Sequence, residues 1–457
     1  MKLRHLKTTP SRSRLRQLRS EPRWQLRSEP RASASGVGIR ARTFETVCLV
    51  VALAAVAALV APAQAAAWTD RGEYDMVMGI RAEASAQKRV ELLDVWQAKY
   101  PQSELRQVRR ELYLAAFESL SDSARMLKTA REMLAEEAGN LVGVYWCTLL
   151  APEVRDPSAD VLDASEKAAR QLLAGLDTYF SAAGKPAAAS DAEWQKRKSS
   201  AGLLAHRALG WIAWQRGDFA GAAKEFRLYL DQNANSAEIT AWMGMVSGLQ
   251  KEPGNQVAAL WYLERAGALR GEGALPDGQQ RAVGALADQV YTAYHGDSDG
   301  IENLKTAALA GAVPPPDFRV ETAAAVAARR ADEELNRTNP QLAAWIRIRR
   351  QLESPDGDKY LADLRAAPLP RLKGVVIRAQ PESKPAEIVL GLSQPLTEEV
   401  VLRVSTPFPN AAPPGTELEF EGTVDSFGKQ PFTLTVLVER EKITGWPAAP
   451  PSHGRKK

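Results

Sequence analysis

The chain has 457 residues, 45% hydrophobic and 25% charged, with 11 tryptophans. That composition excludes a disordered chain and implies two or three domains. The formal charge of +4 is misleading, because residues 1–65 hold 12 Lys and Arg against three acidic residues (Glu21, Glu29 and Glu45); subtraction leaves 47 basic and 52 acidic residues beyond Ala65, a balance of −5 that excludes a broad nucleic-acid footprint.

Residues 1–46 read as a disordered basic extension. They carry a tandem echo, LRSEPRWQ at 18–25 and LRSEPRAS at 26–33, and almost no apolar periodicity. A basic tail for nucleic acid is one alternative. The extension also fits a start codon placed too far upstream, since a start at Val37 would leave an ordinary signal.

Val47 to Val60 is an uncharged apolar run of 14 residues, preceded by Arg40 and Arg42 and followed by Pro62 and Ala63-Gln64-Ala65. Basic flank, short apolar core, helix breaker and A-x-A site predict a signal peptide over 47–65, cleaved after Ala65 with Ala63 as the other small site residue. The run is short for a membrane span, which needs about 20 residues. An uncleaved anchor is the alternative, because alanines extend the stretch to Ala67, and membrane contact is expected only in that case. Either way the arginine excess places the body outside the cytoplasm, in the periplasm. Cys48 begins the apolar run, which argues against a lipid-modified cysteine. Cys147 is then alone in the body, with no intramolecular disulfide or Cys-based zinc cage, and VGVYWCTLL predicts a buried apolar filler.

From Trp68 to about Pro370 apolar residues recur at three and four, alanine is abundant and β-branched alternation is scarce, so the pattern is helical. Asp218 is a predicted N-cap, after which Phe219, Ala222, Ala223, Phe226 and Leu230 form one stripe. Leu204, Ala205, Ala208, Leu209, Ile212 and Ala213 form the stripe before it. Arg216-Gly217-Asp218 is the turn of an antiparallel helix pair. Leu209-Gly210 return as Met243-Gly244, 34 residues later. This spacing resembles the tetratricopeptide repeat (TPR), with Leu209 and Gly210 matching the family's first helix and Ala222 and Phe226 its second. In the next unit Gly244, Ala259, Leu263 and Ala266 take the corresponding structural places, after an insertion near QKEPGN. The family's closing proline is absent, Ala234 and Asn235 standing there instead.

The hairpins 201–232 and 237–268 anchor an expected TPR-like array over 68–310. Its flanking units include KRVELLDVWQAKYPQSE and LYLAAFESLSDSARMLKTAREML. A Pro-rich linker and bridging helices are expected over 311–370. From 371 to 446, five alternating runs (LKGVVIRAQ, AEIVLGL, EVVLRVS, TELEFEGTV and PFTLTVLVE) predict a small five-stranded β domain, a barrel or sandwich similar to a partly open OB type. Residues 372–446 hold seven basic against ten acidic residues. An oligonucleotide-binding surface should be basic with exposed aromatics, so Phe420, Phe427 and Phe432 are expected to pack the barrel or its joint with the helices. A disordered basic tail is expected over 447–457. The expected fold class is therefore mainly α, a helical-hairpin solenoid followed by a small all-β domain.

No H-E-x-x-H, G-x-S-x-G, Walker-type or dinucleotide motif occurs, so no catalytic, cofactor-binding or metal residue is assigned and the protein is expected not to be an enzyme. TAYHGDSDG at 292–300 gathers His295, Asp297 and Asp299 but lacks a calcium-loop ladder and reads as a polar turn. The expected function is an exported scaffold for a protein or peptide of the cell envelope, with no cofactor and no nucleic acid. The alternative is carbohydrate or nucleic-acid binding by the β domain, with the helices as a platform. In stacked pairs of this kind the first helix lines the concave side, which marks Arg207, Trp211 and Gln215 as candidate partner contacts.

Overall fold

The computed structural model describes residues 70–250 and 252–448. The basic extension, the signal segment with Ala63 and Ala65, and the tail from 449 onward lie outside the described residues. The chain divides into two compact units, the first ending at Glu321 and the second beginning at Thr322.

The first unit is helical. Its helices are α1 (Arg71–Ala82), α2 (Ala86–Lys99), α3 (Arg106–Ser119), α4 (Ser123–Glu136), α5 (Leu141–Leu150) and α6 (Ala159–Tyr179). They continue with α7 (Asp191–Gln215), α8 (Phe219–Leu230), α9 (Ala237–Leu249), α10 (Pro253–Ala268), α11 (Asp277–His295) and α12 (Ile301–Ala310). Each helix from α1 to α10 packs on its successor, and α12 packs back on α10. Short polar residues start most of them. Asp70, Ser85, Asp122, Asn140, Ser190, Asp218 and Ser236 each accept a backbone N–H of the first turn, meeting donors that the helix cannot satisfy itself.

The two hairpins form where the repeat spacing places them. α7 ends at a turn whose Gly217 has a φ of +78°, a left-handed conformation that other residues adopt at a cost, and Asp218 caps α8. Leu209, Gly210, Ala222 and Phe226 are all buried, as are Gly244, Ala259, Leu263 and Ala266. A Cβ on Gly210 would lie 2.4 Å from the Phe226 ring, and one on Gly244 would lie 2.8 Å from Cγ of Leu263. Only glycine permits these approaches. The expected insertion at QKEPGN is not a longer loop. α9 ends at Leu249 and α10 begins at Pro253, the same sequence separation as from Gln215 to Phe219, so the extra length lies in an added first turn of α10, opened by Pro253 at its first position.

The second unit holds α13 (Ala323–Thr338), α14 (Pro340–Glu353), α15 (Gly357–Arg365) and one mixed sheet. Seven strands form it, which corrects the expected five: β1 (Leu372–Gln380), β2 (Glu387–Gly391), β3 (Val400–Val404), β4 (Glu417–Phe420), β5 (Thr423–Lys429), β6 (Phe432–Val438) and β7 (Ile443–Thr444). The order is β5-β6-β3-β2-β1-β4-β7, antiparallel except for the parallel β3–β6 pair. TELEFEGTV is two strands because Gly422 passes against β6, where a Cβ would lie 2.5 Å from the Leu437 carbonyl. β4 and β5 stand five places apart in the order, about 24 Å across a flat sheet. The two residues between them allow about 11 Å. The sheet must therefore curl so that its ends approach.

The helices at 323–365 belong to the same compact unit as the strands. Trp345, Ile348 and Leu352 of α14 are buried in one core with Leu372, Val376, Leu402, Phe420 and Leu434. Arg349 Nη1 donates to Glu399 Oε1 at 2.7 Å, and Glu399 also accepts the backbone N–H groups of Leu392 and Ser393, each at 2.7 Å. Burial works against the Glu399 charge, but the Ser393 hydroxyl and those two amides hold its carboxyl below the ordinary range.

The sheet thus depends on α14. Trp345→Ala should cost about 3–5 kcal/mol in urea unfolding, and a fragment from Arg371 should melt well below one from Thr322. Equal melting temperatures for the two fragments would remove α14 from the sheet's stability.

Candidate binding face on the first helices

The candidate contacts separate on burial. Gln215 is exposed, whereas Arg207 and Trp211 are buried, at 6% and 7% exposure. Arg207 and Trp211 are therefore not the surface contacts that their helix suggested. Arg207 Nε donates to Glu238 Oε2 at 3.0 Å and Nη2 to Glu153 Oε1 at 3.0 Å. Its guanidinium also lies over the Trp242 ring, 5.2 Å from the centroid. One cation thus joins α7, α9 and the turn after α5. Burial opposes its charge, but Glu238 and Glu153 outweigh that and keep Arg207 protonated. The sequence concealed this, because both glutamates lie far away along the chain.

Two matching stripes emerge from the same geometry. Arg207, Trp211 and Trp214 recur at four and three along α7, and Glu238, Trp242 and Met245 do so along α9. The first members of the two stripes form the Arg207–Glu238 pair, Arg207 buried and Glu238 half-buried. Towards the other end Trp214, Trp242 and Met245 are half-buried, and the two indoles meet edge to face with centroids 6.3 Å apart. Trp242 also rests on Phe226, at 5.7 Å between centroids, so the second-helix aromatic supports the first-helix one. Gln215 follows Trp214 at the rim. Sequence reasoning missed Trp214, Trp242 and Met245, although the two stripes at equal spacing were the available signal.

His206 and His295 hold no common site. His206 Nδ1 meets Glu225 Oε2 at 2.8 Å between α7 and α8. His295 Nδ1 meets Asp297 Oδ1 at 2.9 Å and its ring stacks on Tyr291, whose hydroxyl donates to the Asp299 carbonyl at 2.6 Å. The TAYHGDSDG cluster thus folds on itself, and among the described residues no three His, Cys, Asp or Glu side chains gather to hold a metal ion. Cys147 is fully buried, and burial pushes its thiol up to about 12.

One titratable group stands out. Glu264 of α10 is 1% exposed, and neither carboxylate oxygen has a hydrogen-bond partner. Burial, then the charge of Asp288, pushes its pKa up to about 7; Lys305 opposes this and Glu302 adds to it. Lys305 is itself engaged, 3.0 Å from both Asp288 Oδ1 and Glu302 Oε1. The folded state therefore retains a proton that the unfolded state releases, so this contribution is fully present below pH about 4.5 and lost as pH rises through about 7. Glu264→Gln should flatten that dependence. The variant should gain on the parent between pH 5 and pH 8 by on the order of 2–3 kcal/mol in urea melts. Parallel pH profiles for the two proteins would mean that Glu264 titrates normally.

The chain matches no protein-family model and no curated protein, so the stripe of Trp214, Trp242 and Met245 has to be interpreted from its own chemistry.

Proposed function

We propose that the protein is an exported, periplasmic scaffold of the tetratricopeptide-repeat type, non-enzymatic, whose helical hairpins stack as a solenoid and bind a protein or peptide of the cell envelope. The observation that carries the reading is the pair of stripes on α7 and α9, with half-buried Trp214, Trp242 and Met245 side by side. Indole and thioether groups at a partly wet surface are the residue types that anchor protein interfaces. The helix-upon-next-helix packing of α1 to α10 supports a stack in which each pair covers its neighbour. The reading as a scaffold rests on these groups; close by, Glu238 and Glu153 pair with Arg207, and Glu225 with His206.

The β unit supports the alternative less well. Phe420 and Phe432 are buried, Phe427 is half-buried against Phe432, and acidic residues outnumber basic ones across the strands. No helix among the described residues is long and apolar enough to cross a membrane, and the export proposal rests on the sequence at 40–65.

A periplasm-dependent reporter fused after Trp68 should be active, with the mature chain starting at Ala66. Activity from a cytoplasm-dependent reporter alone would sink export.

For the partner face, a photo-crosslinking amino acid at Gln215 or Met245 should capture an envelope protein in intact cells. The same probe at Lys224 on α8 should capture far less. Capture from Lys224 or from Arg403 of the sheet, with nothing from Gln215 and Met245, would transfer the function elsewhere.

A further inference from the structure

A second candidate site lies away from the tryptophan stripes, between α4 and α6. These helices line a depression open to solvent, of about 440 Å³, within the usual size range for small-ligand sites. Leu134 and four alanines, Ala135, Ala138, Ala164 and Ala168, line it, with Lys128, Arg131, Lys167, Glu132 and Gln171. Three cations against one carboxylate leave a local excess of +2, in a body whose balance beyond Ala65 is −5.

The pairing pattern singles these cations out. Nearby, Arg125 is held by Asp122, Arg170 by Glu166 and Arg110 by Glu136. Among the described residues the side chains of Lys128, Arg131 and Lys167 make no ion pair or hydrogen bond, and Arg131 acts only through space on the buried Cys147 thiol. Gln171 is partly engaged, its Nε2 donating to the Ala138 carbonyl at 2.9 Å.

We propose that this depression binds a small organic anion with an apolar body, a phosphate monoester or carboxylate on an aliphatic or aromatic part. The planar guanidinium of Arg131 suits bidentate capture of either head group, and the two lysines add point charge. A phosphate monoester carries about −1.5 to −2 near neutral pH, which balances the local excess where a single carboxylate leaves half of it. The apolar part covers Leu134 and the alanines. This site is independent of the partner face, so either can fail alone.

Calorimetric titration of the full chain with octyl phosphate, octanoate, 1-octanol and inorganic phosphate tests the assignment. Octyl phosphate should bind tightest and octanoate next, with 1-octanol and inorganic phosphate weaker by about tenfold or more, because each lacks one half of the match. Added salt should weaken octyl phosphate. The double variant Lys128→Gln, Lys167→Gln changes only exposed side chains. It should weaken octyl phosphate about tenfold at an almost unchanged melting temperature. Arg131→Gln should do the same, its melt checked alongside. No binding of octyl phosphate at millimolar concentration overturns the proposal, and so does equal binding by 1-octanol or by inorganic phosphate. Unchanged affinity in the lysine variant also overturns it, as does tighter binding of hexaglutamate, which would make the ligand a peptide.

Discussion

Both hairpins of the first unit depend on an atom that is missing. At Gly210 and Gly244 the absent Cβ is the space occupied by Phe226 and Leu263. These contacts fix how near each second helix lies to its first, and so which face of α7 and α9 turns inward. Trp214 stands one turn beyond Gly210 and Arg207 just under one turn before it, so the α7 stripe borders the face packed on α8, while 238, 242 and 245 lie further round α9 from Gly244. There Trp242 spans both sides, resting on Phe226 while presenting part of its indole to solvent. The candidate surface is thus a consequence of core packing and not an addition to it.

Buried charge is handled in three ways within the one chain. Arg207 is surrounded by two glutamates and a tryptophan face, so its charge is compensated where it sits. Glu399 is compensated mainly by backbone amides and the Ser393 hydroxyl, with Arg349 completing the set. Glu264 has no such partner and instead holds its proton up to a pH of about 7. Removing one member of a compensated pair strands the other in low dielectric, whereas replacing Glu264 by a neutral isostere strands nothing. Opposite stability responses to similar substitutions follow from these surroundings and not from the residue type.

Much of the helical unit was legible. The Leu-Gly and Met-Gly pairs 34 residues apart, the Asp218 cap and the Arg216-Gly217-Asp218 turn are local signals, and local signals survive in a sequence. What failed was non-local. Arg207 looked like a surface residue because Glu153 and Glu238, which bury its charge, come from other elements. The β unit erred for a related reason. DSFGK lacks alternation, yet it continues β5 because β6 supplies its partners. The two-residue strand Ile443–Thr444 exists only through β4. Glu421-Gly422 looked like the interior of one strand, although the glycine marks where the chain leaves β4 for the far end of the order.

The basic depression follows from the same limit on sequence reading. Lys128 and Arg131 look like an ordinary solvated helix face, as charged residues within KTAREMLAEEAG normally are. Lys167, from α6, completes the set only after folding. What separates these three from their neighbours is a missing partner and not an unusual residue, and missing partners are invisible until the carboxylates of both helices have been placed. Asp122 and Glu166 are committed to Arg125 and Arg170, and Glu136 to Arg106 and Arg110. With those acids engaged, Glu132 is the carboxylate left at the depression. The local positive charge is therefore a residue of the fold's own ion pairing, and an anion from solution is what remains to balance it.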